Sequence, residues 1–96
     1  MAPLTPFSKI WRMRNNGMAQ WPHKTHIVWI GGDRLSKQSS VEVEIPVAGL
    51  PVDKELDIRV DLICPEIPGD YISFWRLVSP SGEKFGERIR VLIQVS

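Results

Sequence analysis

Alternation of apolar and charged residues is the dominant pattern of this chain. It is clearest in residues 55–62, where Leu56, Ile58, Val60 and Leu62 alternate with acidic and basic side chains. Successive side chains of a β-strand point to opposite faces of its sheet, so this spacing predicts a strand with one buried face. Leu56, Ile58 and Val60 are therefore predicted to lie in the core.

The C-terminal end of the chain repeats this alternation. Apolar side chains occupy every second position, at Ile89, Val91, Ile93 and Val95. Val91 and Ile93 are therefore predicted core residues. Arg90 falls between them and is predicted to face outward.

Four other segments show strand-like patterns: residues 7–14, 25–30, 41–45 and 71–77. Trp11, Tyr71 and Trp75 fall on the predicted inner faces of their strands, so we expect them in the core. Residues 25–30 are apolar at most positions. That density predicts a central strand covered on both faces.

Turn-forming residues separate these segments. The main signals are Asn15-Asn16-Gly17, Gly31-Gly32-Asp33 and Ser79-Pro80-Ser81-Gly82. Residues 34–40 are polar and predict a flexible loop, and no segment shows helical periodicity beyond one turn. The pattern predicts an all-β fold. We expect an immunoglobulin-like antiparallel β-sandwich of about seven strands, with residues 1–96 forming a single domain.

Composition narrows the function classes. The chain has 96 residues, 43% of them hydrophobic, and a formal net charge of +1. This balance indicates a globular domain and argues against a nucleic-acid partner, which would require a concentrated basic surface. No apolar run reaches the ~18 residues of a membrane span, so no membrane insertion is expected. The single Cys64 fits a reducing, cytoplasmic environment.

Residues that could support catalysis are sparse. His23 and His26 are the two histidines, and no further histidine, cysteine or acidic cluster surrounds them at metal-ligand spacing. Nucleophile elbows, phosphate-binding loops and dinucleotide fingerprints are absent from the sequence. We therefore expect no enzyme activity, no bound metal and no cofactor.

Four tryptophans against one tyrosine and three phenylalanines are an unusual aromatic balance. Trp combines a large apolar ring with one N–H that needs a partner when it is buried. Trp11 and Trp75 lie in alternating strands, on faces that they share with apolar residues, and Trp29 lies in the dense apolar strand, so all three are predicted in the core. Trp21 precedes Pro22 at a strand start. The pattern leaves open whether Trp21 caps the end of the sandwich or lines a pocket.

The order of motifs is similar to that of a known family. Residues 7–22 match F-x-K-x-W-R-x-x-N-x-G-x-x-x-W-P, and an apolar strand ending in Gly31-Gly32-Asp33 follows. Residues 68–77 match Pro-Gly-x-Tyr-x-x-x-Trp-Arg-Leu, and residues 82–88 match Gly-x-x-Phe-Gly-x-Arg. In this order the chain resembles the four-tryptophan (FW) domain of the next-to-BRCA family of selective-autophagy cargo receptors, most closely the plant members. Arg90 stands where that family has its fourth Trp, and Trp29 is additional.

The resemblance implies a function. Family members are multidomain receptors, so it implies that residues 1–96 are a fragment of a longer protein. It implies a non-catalytic module that recognises cargo or adaptor proteins in the cytoplasm for delivery to the autophagosome and vacuole. Two other hypotheses remain open at this point. The domain is a structural or self-associating spacer, or a carbohydrate-binding module with a row of exposed tryptophans.

Three residues are predicted to contact a partner: Trp21, Asp33 and Arg90. Loops at the end of a sandwich vary freely on a rigid scaffold, so binding tends to concentrate there. Asp33 is interpreted either as a solvated turn residue or as an anion that receives a cationic group of the partner. A strand over residues 25–30 spans about 20 Å, which predicts that Trp21 and Asp33 lie at opposite ends of it.

Overall fold

The computed structural model describes residues 2–96, which form two antiparallel β-sheets. The strands are β1 (Pro6–Arg14), β2 (His26–Gly32), β3 (Ser40–Glu42), β4 (Glu55–Ile63), β5 (Gly69–Val78) and β6 (Lys84–Val95). Strands β1 and β4 form a small sheet, and the large sheet has the order β3-β2-β5-β6. The described residues contain no helix. The predicted antiparallel β-sandwich is confirmed, with six strands where the pattern predicted about seven.

The alternation of the sequence explains which side chains fill the space between the sheets. In β4, Ile58 and Val60 are buried and the intervening charged residues are exposed. The register of β1 against β4 places Trp11 opposite Ile58, on the same inner face. In β6, Val91 is buried in the same cluster.

Trp75 lies at the centre of this core and is 0% exposed. Its indole N–H donates a hydrogen bond to the hydroxyl oxygen of Ser73 at 2.9 Å, and Ser73 is itself buried. Burying the indole therefore leaves no unpaired donor at this site. The indole N–H of Trp29 differs from that of Trp75, because the Trp29 N–H is buried without a hydrogen-bond partner among residues 2–96.

Other predicted core residues lie at the margin of the core. Half-buried side chains that pack against the central cluster include Trp11, Trp29, Leu56, Tyr71 and Ile93. The prediction that the second strand is covered on both faces is wrong, because Ile27 is the one buried residue of β2. On the outer face of the large sheet, Ile72 and Phe74 are half-buried and Leu92 is exposed.

Loops complete the core beside the small sheet. Leu35, Val43 and Ile45 are buried although all three lie outside the strands. The carbonyl oxygen of Leu35 accepts the N–H of Ile63 at 2.8 Å, which ties residues 34–40 to β4. The expectation of a flexible polar loop is therefore wrong at Leu35, whose burial anchors that loop to the core.

Asn15 connects the loops at one end of the sandwich. It is fully buried, and its side-chain amide donates to the carbonyl oxygens of Ala19 at 3.0 Å and Leu50 at 2.9 Å. Its side-chain oxygen accepts the N–H of Gly17 at 3.2 Å, and its own N–H donates to the carbonyl of Lys54 at 2.9 Å. One side chain thus holds residues 17–19 against the loop that carries Leu50.

We predict that Trp75→Ala lowers the free energy of unfolding by ~3–5 kcal/mol, because it leaves a large cavity in the core. Urea denaturation followed by circular dichroism measures this loss. Leu92→Ala is the control, since Leu92 is 68% exposed and its truncation should change stability by no more than ~0.5 kcal/mol. A loss below ~1 kcal/mol for Trp75→Ala would contradict the central position of this residue.

We predict that Asn15→Ala lowers the free energy of unfolding by about 1–3 kcal/mol, because it removes three side-chain hydrogen bonds in a buried site. The neighbouring Asn16 is exposed. Asn16→Ala, the matched control, should stay within ~0.5 kcal/mol. Equal urea midpoints for the two variants would show that the Asn15 hydrogen bonds do not hold the loops.

Candidate functional site

Trp21, the first predicted partner-binding residue, is 6% exposed and belongs to the core cluster. Its backbone exchanges two hydrogen bonds of 2.9 Å with the backbone of Leu50. Its ring lies 5.9 Å from the ring of Phe85, centroid to centroid, with the two planes inclined at 60°. Trp21 therefore caps the end of the sandwich, and it also forms part of the wall of a groove described below.

Asp33 lies at the end of β2 and is bound to the backbone of β5. Its N–H donates to the carbonyl oxygen of Ile72 at 2.6 Å, and its carboxylate accepts the N–H of Ile72 at 2.9 Å. Gly32 precedes it with a φ of 74°, and a Cβ there would clash with the Ile72 carbonyl oxygen. The interpretation of Asp33 as a solvated turn residue is wrong, because its carboxylate fastens β2 to β5.

Arg90 is exposed on β6, directly opposite Phe74 of β5, and Phe74 in turn pairs with Gly31 of β2. Neighbouring strands lie about 4.8 Å apart, so Arg90 and Gly31 are about 10 Å apart. Trp21 precedes β2, whose seven residues span on the order of 20 Å. The structure thus places Arg90 near the Asp33 end of β2 and Trp21 beyond the other end.

A groove with a volume of about 840 Å³ runs between the edges of β1 and β6. Its larger aromatic and aliphatic lining residues are Ile10, Trp11, Met13, Trp21, Phe85 and Ile89. Each bordering strand pairs with a neighbour along one edge only, β1 with β4 and β6 with β5. The groove therefore has a largely apolar lining and is bordered on each side by the open edge of a strand.

Charged residues stand along both borders of the groove. On the β1 side, Arg12 and Arg14 form 3.0 Å ion pairs with Asp57 and Asp53. On the β6 side, Glu83 and Glu87 are exposed and enter no ion pair among the described residues. One border therefore carries ion-paired arginines and the other carries two carboxylates without an ion pair.

Sequence reasoning missed Phe85 and Ile89 as groove residues. Alternation placed Ile89 on an inner face, and the Gly-x-x-Phe-Gly-x-Arg motif contained Phe85. Neither signal shows that β6 and β1, from opposite ends of the chain, border the same opening. That adjacency depends on how the two sheets stack.

Both histidines are hydrogen-bonded to the backbone. His23 and His26 each bond through Nδ1 to a different backbone carbonyl, those of Ile45 and Lys24. Within residues 2–96, no three His, Cys, Asp or Glu side chains gather closely enough to hold a metal ion. The same residues include no helix with the length and hydrophobicity of a membrane span.

The outer face of the small sheet is neutralised by local ion pairs and hydrogen bonds. Ser8 donates to the Asp61 carboxylate at 2.6 Å, and Arg59 donates to the same carboxylate at 3.2 Å. The Ser8 hydrogen bond, followed by that of Arg59, lowers the pKa of Asp61 below its ordinary value. All these groups are exposed, so they contribute little to stability.

Comparison with known proteins gives a consistent assignment. The family described as "Ig-like domain from next to BRCA1 gene" matches residues 1–95. The chain is 65% identical to Protein JOKA2 of Solanum tuberosum over 95 residues, and 54% identical to the Protein NBR1 homolog of Arabidopsis thaliana over 95 residues. It is 32% identical to Protein ILRUN of Danio rerio over 93 residues.

These matches cover the chain almost completely but their relatives only in small part. The alignments include 99% of this chain and 11% and 14% of the two plant relatives. For the human Next to BRCA1 gene 1 protein, the identity is 34% over 93% of the chain and 9% of the relative. The identities to the plant proteins exceed those to the animal proteins, in agreement with the resemblance to plant members. The chain belongs to the family of Ig-like domains from the next to BRCA1 gene.

Proposed function

We propose that this chain is a non-catalytic protein-binding module of a selective-autophagy receptor. In this proposal it lies within a longer multidomain protein of the cytoplasm, and recognises cargo or adaptor proteins for delivery to the autophagosome and vacuole. The sequence resemblance supports the assignment to a selective-autophagy receptor. The groove between β1 and β6 supports a role in protein binding.

The groove carries the proposal because its size and lining suit a segment of polypeptide. A volume of about 840 Å³ lies in the range of specific ligand pockets. Trp11, Phe85 and Ile89 are half-buried on its walls, so they keep apolar surface that a partner side chain can cover. Aromatic residues in such positions contribute a large share of binding energy in protein interfaces.

The open strand edges favour an extended segment as the occupant. Beside the groove, at Phe85, Gly86, Glu87 and Ile89, strand β6 has no neighbouring strand on the edge away from β5. A partner strand laid along that edge would satisfy backbone N–H and carbonyl groups and place alternate side chains in the groove. In this mode the backbone supplies affinity and the groove supplies selectivity.

The arrangement of the tryptophans argues against the carbohydrate-binding hypothesis. Trp21 and Trp75 are buried, and Trp11 and Trp29 are half-buried against the core. None of the four extends from a flat sheet face, whereas sugar binding by a sandwich face requires exposed rings. The spacer hypothesis gives no role to an apolar groove and is tested below.

We predict that Ile10→Glu reduces partner capture by at least ~10-fold, because it replaces apolar surface on the groove wall with a carboxylate that a bound partner would strip of water. Ile10 lines the groove and is 57% exposed, so the variant should fold normally. The immobilised chain is incubated with plant-tissue extract, and the captured proteins are identified by mass spectrometry. Proteins captured by the wild type alone should accumulate in cells whose autophagy is blocked.

Ile67→Glu is the matched control, because Ile67 is 72% exposed and does not line the groove. Equal capture by Ile10→Glu and Ile67→Glu would refute the groove as the binding site. Captured proteins whose abundance does not respond to the autophagy block would refute the receptor role. A domain that captures only copies of itself would favour the self-associating spacer.

A further inference from the structure

The outer face of the large sheet carries an apolar patch on β5 and β6. Register pairs Ile72 with Leu92 and Phe74 with Arg90, so these side chains stand in adjacent rows. Leu92 is 68% exposed, while Ile72 and Phe74 are half-buried. The outer face of the small sheet instead bears hydrogen-bonded and ion-paired groups such as Asp61, so the two faces differ in chemistry.

Three arginines surround this apolar patch: Arg76, Arg88 and Arg90. The guanidinium carbon of Arg88 lies 5.0 Å from the ring centroid of Phe74, a cation–π contact that orients the charge over the patch. Arg76 donates through Nε to the carbonyl oxygen of Gly86 at 3.2 Å, which fixes a second guanidinium. We name this surface, formed by Ile72, Phe74, Arg76, Arg88, Arg90 and Leu92, the arginine face.

None of the three arginines of the arginine face forms an ion pair within residues 2–96. The ion pairs of the described chain involve Arg12, Arg14 and Arg59, all on β1 or β4. The net charge of the whole chain is only +1. Three guanidinium groups without ion pairs therefore stand together on one face of a molecule whose total charge is nearly balanced.

We propose that the arginine face binds an acidic, amphipathic segment of a partner protein. Carboxylates of the segment would pair with the guanidinium groups of Arg88 and Arg90, and its apolar side chains would cover Leu92 and Phe74. Arginine pairs with carboxylates through two parallel hydrogen bonds, and such pairs strengthen where neighbouring apolar groups exclude water. This surface is separate from the groove, so the inference goes beyond the proposed function.

The distribution of charge selects this occupant over others. A second copy would bring three arginines against three arginines, and that repulsion opposes self-association through this face. Asp70 pairs with Gln94 and Glu42 pairs with His26, so two exposed carboxylates stand toward the margins of the sheet. A broad anionic surface, such as a lipid bilayer or a nucleic-acid backbone, would meet these carboxylates as well as the arginines. A short acidic segment can contact the arginines while staying between the carboxylates of Asp70 and Glu42.

The test uses the 96-residue chain and a fluorescein-labelled peptide of about 12 residues in which Glu alternates with Leu. Fluorescence anisotropy should show binding that weakens at least ~3-fold when NaCl is raised from about 50 to about 300 mM. The double substitution Arg88→Glu and Arg90→Glu should weaken binding at least ~10-fold. Leu92→Ser should weaken it at least ~3-fold, which tests the apolar contribution without a charge change.

Arg59→Glu is the matched charge-reversal control on the other sheet and should leave peptide binding unchanged. Ile10→Glu should also leave it unchanged, which separates this inference from the groove. Thermal melts establish that every variant is folded. Peptide binding that is absent, or equal in wild type and in a folded Arg88→Glu, Arg90→Glu variant, would overturn the proposal.

Two further measurements identify other occupants. A control peptide with Lys in place of every Glu should not bind, and equal binding of both peptides would overturn the charge argument. Tighter binding to vesicles of anionic lipid or to duplex DNA than to the acidic peptide would assign the face to that ligand instead. Dimers in sedimentation velocity that Leu92→Ser dissociates would assign it to a second copy.

Discussion

The unequal width of the two sheets is the constraint on which this structure depends. Four strands present one inner face, and the two strands β1 and β4 cannot cover it alone. Apolar surface left in water costs about 25 cal/mol per Å², so other parts of the chain must cover the remainder. Leu35, Val43, Ile45 and Leu50 do so from loops or a single bridge. The groove between β1 and β6 lies where these loop residues no longer cover the inner face of the large sheet.

Loops that serve as core must be held as firmly as strands. Asn15 does this at one end of the sandwich, where its amide replaces the ladder hydrogen bonds that a strand would have made. Trp21 and Leu50 are joined there by a reciprocal backbone pair. At the other end of β2, Gly32 permits the close approach to Ile72 and the Asp33 carboxylate completes the pairing. Asn15 and Asp33 both belong to sequence motifs typical of turns, and in the structure both hold loops or strand ends in place.

The same architecture gives the module two surfaces of different chemistry. The groove is apolar and bordered by unpaired strand edges, which suits backbone recognition of an extended segment. The arginine face is flat and combines Leu92 and Phe74 with oriented guanidinium groups. A small module that we propose to act in cargo recognition would thereby contact one partner at two points or two partners at once. Two weak contacts on one partner raise the overall affinity through effective concentration.

Alternation in the sequence determined the fold class, the strand segments and the inner faces, because side-chain direction along a strand has a period of two residues. It placed Ile58, Val60, Val91 and Trp75 inside and Arg90 outside without reference to any neighbour. Only the tertiary structure decided which inward residues are fully covered. Trp11 and Trp29 are half-buried because sheet width and edge position, which are non-local, limit their burial. The structure alone also brought Phe85 beside Trp21 and gave the Asp33 carboxylate its partner, since those contacts join segments 64 and 39 residues apart.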